Sequence, residues 1–168
     1  YMIMQDADSE YDPAEHVNFC QMANESGAAA IFGSRVLGGE VHYRYAHAYL
    51  GVKILTAITN ILFGGRLTDV ATATKMVRAD VVQSLNLTCS GFDLDFELPD
   101  KILLSGNEIL EIPITYDPRT YAEGKKIRTT DGLKALLIML RDRLGLSPVF
   151  KPGHGKAAVR SDSIENSA

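Results

Sequence analysis

Apolar and polar positions alternate along this chain in runs whose lengths predict most of its elements. The opening run, Tyr1 to Met4, reads as a strand that empties into a polar turn, Gln5 to Pro13, with the sequence QDADSEYDP. Asp12, Pro13 and Glu15 then make a helix-start signal, with an N-cap side chain, proline at the first helical position and a capping-box glutamate. The helix is expected over Pro13 to Glu25, stopping at Ser26 and Gly27. Ala28 to Phe32 is wholly apolar between turn residues, which suits a buried parallel strand. Strand, helix and strand within about 30 residues predict a βαβ unit with a right-handed crossover.

A longer stretch, Ala46 to Phe63, places Leu50, Ile54, Ile58, Ile61 and Leu62 along one side and ends at Gly64 and Gly65. It reads as a core helix in preference to one lying in a membrane plane, and Lys53, Thr56, Thr59 and Asn60 interrupt it too often for a span. Further on, Lys75 to Val77 is a short strand and Ala79 to Leu85 a short helix. Asp93 or Asp95 caps a helix that reaches Ser105 and stops at Gly106. Ile109 to Tyr116 is a strand in which Pro113 marks an edge or a bulge, and Gly132 to Leu144 is a helix with Leu133, Leu136, Leu137 and Leu140 inward. Residues 146–168 are expected to form a flexible polar tail. The fold class is α/β, with a mixed, mostly parallel sheet flanked by helices.

Composition narrows the function classes. With 168 residues, 46% of them hydrophobic, the chain can bury one substantial core. A net charge of −4 argues against a general nucleic-acid binder and leaves room for a local phosphate site. Cys20 and Cys89 form no CxxC pair and read as ordinary thiols. Because Tyr1 leads almost at once into a strand, a domain cut at its middle is expected, inactive by itself.

The candidate chemistry starts in the acidic turn. Asp6, Asp8 and Glu10 share a parity and can present carboxylates to one hard cation. An EF-hand loop would need glycine and glutamate where Tyr11 and Val17 stand, so that reading fails. Gly33 to Arg35 follows the second strand and falls at the same sheet edge, where ligands of such sheets bind, so an arginine and the carboxylates share one crevice. Gly38 and Gly39 loosen a segment carrying His42, Tyr43 and Arg44. The long loop from Tyr116 to Thr130 brings Arg119, Lys125, Lys126 and Arg128 around a glycine and reads as a phosphate-closing lid.

QDADSEYDP, FGSR, LTD, GFDLDFEL, EIPITYDPRTYAEGKKI and DGLKALL, in that order, resemble the family 2 glycosyltransferases of the dolichyl-phosphate mannose synthase type, over Met2 to about Leu144. The resemblance implies a GT-A fold whose nucleotide-binding half is absent here. It matches Asp6 and Asp8 to a metal-binding DxD, with Mg²⁺ or Mn²⁺ as cofactor, and Glu10 to a position near the metal. Arg35 matches an arginine near the donor phosphates, and Arg119, Lys125 and Lys126 match a basic loop over the pyrophosphate. Asp69 matches an acidic position near the sugar and is the first candidate for a general base, while Asp95 and Glu97 match an acidic pair. Thr72, Ala73 and Thr74 depart from the bulkier residues of relatives, at positions that bear on acceptor or sugar choice.

The expected activity is inverting transfer of a sugar from a GDP- or UDP-linked donor to an acceptor, a polyprenyl phosphate ahead of a glycan, on the cytoplasmic side and with peripheral membrane contact. A nucleotidyltransferase using a similar sheet and metal is the rival enzyme. A nucleotide-sugar-binding domain without turnover is the non-enzymatic rival.

Overall fold

The computed structural model describes residues 1–37, 46–119 and 129–152, except for the side chains of 129 and 130. Four strands, β1 (Met2–Met4), β2 (Ala30–Ser34), β3 (Lys75–Val77) and β4 (Ile109–Pro113), form one sheet in the order β1-β3-β2-β4. β3 runs antiparallel to both β1 and β2, with Met76 opposite Ile3 on one side and Ile31 on the other, and β4 is parallel to β2. The sheet is therefore mixed, and two of its three pairings are antiparallel. This corrects the expected mostly parallel sheet and the simple βαβ unit: β1 and β2 point the same way but β3 lies between them.

Among the described residues five α-helices flank the sheet: α1 (His16–Ser26), α2 (Ala46–Phe63), α3 (Ala79–Ser84), α4 (Leu94–Leu104) and α5 (Thr129–Arg143). Asp12 caps the turn that leads into α1, accepting the Ala14 N–H at 2.9 Å, and Gly27 ends α1 at a φ of 61°. Glu15 closes no capping box; it accepts the Thr115 N–H at 2.8 Å, tying α1 to the chain beyond β4. Asp93 precedes α4 without a side-chain cap bond, and Asp95 lies inside the helix.

Side-chain alternation in β2 divides the core. Ile31 joins Phe19 and Ala23 of α1, Met76, Ile112 and Ile114 on one face. Ala30 and Phe32 join Val77, Val81, Leu98 and Ile102 on the other. Gly33 is required where β2 meets the chain after β4, because a Cβ there would stand 2.6 Å from Ile114 Cδ1. Pro113 ends the edge strand opposite Ser34, where its missing N–H breaks no ladder.

A third cluster joins Leu67, Val70, Phe96, Ala135 and Met139 to the partly buried Leu55, Ile58 and Leu62 of α2. Its geometry overturns two expectations. The buried residues of α2 are Thr56 and Thr59, while Leu50, Ile54 and Ile61 (81% exposed) face outward. In α5, Ala135, Met139 and Asp142 are buried, and Leu133 (62% exposed), Leu137 and Leu140 are outward. The inward side of α2 is chosen by hydrogen bonding. Thr56 Oγ1 accepts the Val70 N–H at 3.1 Å, and Asn60 exchanges bonds of 2.8 and 2.9 Å with the Leu67 carbonyl and N–H. Buried backbone groups of the 67–70 loop need such partners more than the helix needs to bury its largest residues.

Between α4 and α5 lies a polar layer. Glu97 accepts bonds from the backbone N–H groups of Thr88 and Cys89, from Lys101 at 2.8 Å and from Arg141 at 2.7 Å. Burial would raise its pKa, but the Lys101 bond and the loop donors outweigh that and lower it to about 2. Asp100 is fully buried beside it, and neither of its oxygens has a hydrogen-bond partner. Beyond α5 the first residues of the expected tail are paired with the chain after α3: Asn86 N–H donates to Val149 O at 2.9 Å, Lys151 N–H to Ser84 O at 2.9 Å, and Phe150 bridges to Leu85, while 153–168 lie outside the described residues.

Candidate functional site

Since β1, β2 and β4 run in one direction and β3 in the other, one edge of the sheet collects the ends of three strands and the start of the fourth. Asp6 to Glu10 follow β1, Arg35 follows β2, Ile114 to Arg119 follow β4, and Lys75 opens β3. This is the edge at which open α/β sheets bind ligands. A groove of about 480 Å³ lies there, lined by Gln5, Asp6, Glu10, Tyr11, Thr115 and Asp117 among others.

The acidic turn is bent by Ser9, at a φ of 66°, and by Asp8 Oδ1, which accepts the Glu10 N–H at 3.1 Å. Arg119 reaches the turn from far along the chain: its Nη2 stands 2.5 Å from Asp8 Oδ2 and its Nε 3.2 Å from Glu10 Oε1. The Arg119 N–H donates to Glu10 Oε1 at 2.9 Å, and the Tyr116 hydroxyl to Glu10 Oε2 at 3.1 Å. Asp8, Glu10 and Arg119 are thus brought together. Asp6 is exposed and makes no hydrogen bond or ion pair among the described residues. Burial, then the Asp8 and Asp95 carboxylates, push its pKa up against the pull of Lys75.

Lys75 is a buried ammonium, 2.5 Å from Asp95 Oδ1 and 5.5 Å from the centre of the Phe32 ring. It places Asp95, a predicted substrate-binding residue, on the Asp6 side of the site. Arg35 and Asp69 meet in a bidentate pair, Nε to Oδ2 at 2.6 Å and Nη2 to Oδ1 at 2.7 Å, both buried. The guanidinium also lies 5.0 Å from the Tyr116 ring centre and donates to the Tyr11 hydroxyl at 3.4 Å. Burial pushes the Tyr11 pKa up to about 12, so its hydroxyl stays neutral. Asp69 has both oxygens engaged by Arg35, an arrangement that suits holding an arginine in place.

Four residues of this assembly were not singled out from sequence as site residues: Lys75, Tyr11, Tyr116 and Glu111. Glu111, on β4, accepts from the Thr68 N–H, the Thr68 hydroxyl and the Asp69 N–H at 2.7, 2.8 and 3.0 Å, and so fixes the loop that carries Asp69. A charged residue inside each of two short apolar strands was the available signal. The predicted Lys125, Lys126 and Arg128, like His42, Tyr43 and Arg44, lie outside the described residues.

Among the described residues no three His, Cys, Asp or Glu side chains cage an ion by themselves. The donor set is instead the open Asp6 carboxylate with Asp8 and Glu10 close by. One or two carboxylates hold Mg²⁺ only together with substrate phosphates and water, so these acids would need a bound diphosphate to complete the shell of such an ion.

No known family model matches the chain, and no solved structure matches it. The chain is 28% identical over 163 residues to the low-salt glycan biosynthesis hexosyltransferase Agl6 of Haloferax volcanii. The match covers 95% of this chain and 38% of that protein, so the chain spans well under half the length of the relative.

Proposed function

We propose that this chain carries the catalytic edge of an inverting, family 2 type glycosyltransferase with a partial GT-A fold, moving a hexose from a nucleotide sugar to a lipid phosphate. The observation that carries the reading is the contact of Arg119 with Asp8 and Glu10 at the ligand-binding edge of the sheet. Similarity to a named hexosyltransferase supports it.

In this mechanism Asp6 and Asp8, with Glu10 beside them, would hold a Mg²⁺ or Mn²⁺ ion, which would offset the charge that grows on the diphosphate leaving group. Arg119 donates charge-assisted hydrogen bonds to the same phosphates, each such donor in a dry site being worth about 2 to 4 kcal/mol of barrier. Asp69 holds Arg35 by Nε and Nη2, and Arg35 in turn fixes Tyr11 and Tyr116, the walls behind the acidic turn. Asp95, held by Lys75 through one oxygen, keeps its other oxygen for a sugar hydroxyl. Attack in line with the departing phosphate inverts the anomeric centre.

Two features favour an anionic, lipid-borne acceptor. A phosphate nucleophile needs no strong base, and the first candidate for one, Asp69, is sequestered by Arg35. The outward leucines and isoleucines of α2 and α5 form apolar faces of the kind that lies on a membrane surface. Helix α2 is also long and apolar enough to cross a bilayer by length and composition, with 11% of it buried. A peripheral position suits its place beside α4 and α5.

The test is hexose transfer from GDP- and UDP-sugars to a polyprenyl phosphate by the full-length protein, with Asp8→Asn and Arg119→Ala alongside. Both variants are expected to lose at least about a hundredfold in kcat. Full activity of Asp8→Asn, or of wild type stripped of divalent metal, would sink the proposal.

A further inference from the structure

Every carboxylate oxygen of Asp8 and Glu10 already has a protein donor. Asp8 Oδ1 takes the Glu10 N–H and Oδ2 takes Arg119 Nη2. Glu10 Oε1 takes the Arg119 N–H and Nε, and Oε2 takes the Tyr116 hydroxyl. The Asp117 N–H completes the seam on the Glu10 carbonyl at 3.0 Å. Asp6 alone of the three acids has none of this. One guanidinium therefore holds one oxygen each of Asp8 and Glu10, Oδ2 and Oε1, which a divalent ion bridging the two acids would have to share or take from it.

We infer that Arg119 is the internal counter-ion of the acidic turn and competes with free divalent metal for Asp8 and Glu10, so that metal binds together with the donor's diphosphate and not ahead of it. The inference rests on the metal-dependent transfer proposed above. A divalent cation and a guanidinium drawn to the same two oxygens, Asp8 Oδ2 and Glu10 Oε1, repel each other, so the turn holds one of them more readily than both. A diphosphate changes the balance. It brings the negative charge that lets both cations stay, and its oxygens match the planar, forked donor set of arginine better than a lone carboxylate does. The Arg119 side chain is about a third exposed, at 35%, and so is not locked in place by packing. Removal of Arg119 should then have opposite effects on two ligands: it frees the turn for bare metal and removes the donor that receives the phosphates. Because coupling is reciprocal, wild type should bind metal more tightly with nucleoside diphosphate present, and loss of Arg119 should shrink that gain.

The experiment measures Mn²⁺ binding by electron paramagnetic resonance of the free ion, with the full-length protein, alone and with saturating GDP or UDP. Arg119→Gln is expected to bind bare Mn²⁺ about tenfold more tightly than wild type, and to lose most of the tightening that the nucleotide gives wild type. Arg119→Lys, which keeps the charge and differs least in bulk, is expected to stay near wild type for bare Mn²⁺ and serves as the control for folding. If Arg119→Gln binds bare Mn²⁺ no more tightly than wild type, while wild type binds Mn²⁺ with nucleotide and transfers sugar, the counter-ion inference is wrong and the proposed function stands. If no form binds Mn²⁺ with or without nucleotide, both fall.

Discussion

Asp100→Asn should stabilise the protein at neutral and alkaline pH. Asp100 sits on α4 with no hydrogen bond to either oxygen. Burial first, and the Asp142 carboxylate second, raise its pKa from 3.8 to about 8, against the pull of Arg141. The sign follows from proton counting. Between the unfolded and folded pKa values the folded state holds a proton that the unfolded chain gives up, so stability is greatest below the unfolded value and falls as pH climbs towards the folded one. At about 1.4 kcal/mol per pH unit, the roughly three units from 3.8 to pH 7 correspond to about 4 kcal/mol, an upper bound because the buried carboxyl relaxes with its neighbours. Asparagine cannot ionise and removes that slope. It buries an amide with few partners, a cost of about 1 to 3 kcal/mol that reduces the net gain. The expected result is a variant about 1 to 3 kcal/mol more stable than wild type at pH 8, and equal to it or weaker at pH 5. Urea denaturation of both proteins at pH 5, 6.5 and 8 measures this. A wild type whose stability is flat over that range, or a variant weaker than wild type at pH 8, refutes the buried neutral acid.

Asp69→Asn, which leaves the Arg35 guanidinium buried with half its partners, should cost about 3 to 5 kcal/mol in denaturant unfolding; a loss below 1 kcal/mol would show the pair to be incidental. Leu133→Glu combined with Leu137→Glu changes two exposed side chains, so unfolding midpoints should shift little while co-sedimentation with phospholipid vesicles drops severalfold. Unchanged co-sedimentation would remove the membrane reading of α5. Glu111→Gln should loosen the 67–70 loop and lower stability by about 1 to 3 kcal/mol, read by hydrogen exchange at Thr68 and Asp69.

Local signals were legible in the sequence to the degree that local chemistry decides them. The Asp12 cap, the Gly27 stop and the edge proline at 113 came out where turn and cap residues put them, while the buried strand expected over Ala28 to Phe32 lies two residues later, at Ala30–Ser34. The sheet order did not. β3 has only three residues, and its insertion between β1 and β2 is decided by pairings more than 40 residues away in sequence, which periodicity does not register. The inward face of α2 failed for another reason. Counting large apolar residues assigns the core to Leu50, Ile54, Ile58, Ile61 and Leu62, of which Ile58 and Leu62 do pack inward, yet the helix turns Thr56 and Asn60 to serve the backbone of the loop bearing Asp69 and leaves Leu50, Ile54 and Ile61 outward.

The same distinction separates the parts of the candidate site. The acids of the turn and the arginines were readable because their spacing is compact. What holds them is spread over the whole chain, in a continuous set of contacts. Glu111 on β4 fixes Thr68 and Asp69; Asp69 grips Arg35; Arg35 lies against the Tyr116 ring; Tyr116 bonds Glu10; and Arg119 ties Glu10 to Asp8. Each link joins segments that follow different strands, so the sheet edge sets the distances and no single motif does. Arg35, Asp69 and Tyr116 are buried, and the two charges among them are paired with each other, while the half-buried Glu111 is held by the Thr68 and Asp69 donors. Were the acidic turn to exchange one cation for another, as proposed above, the exchange would take place at the exposed end, with the buried pair Arg35 and Asp69 fixed behind it.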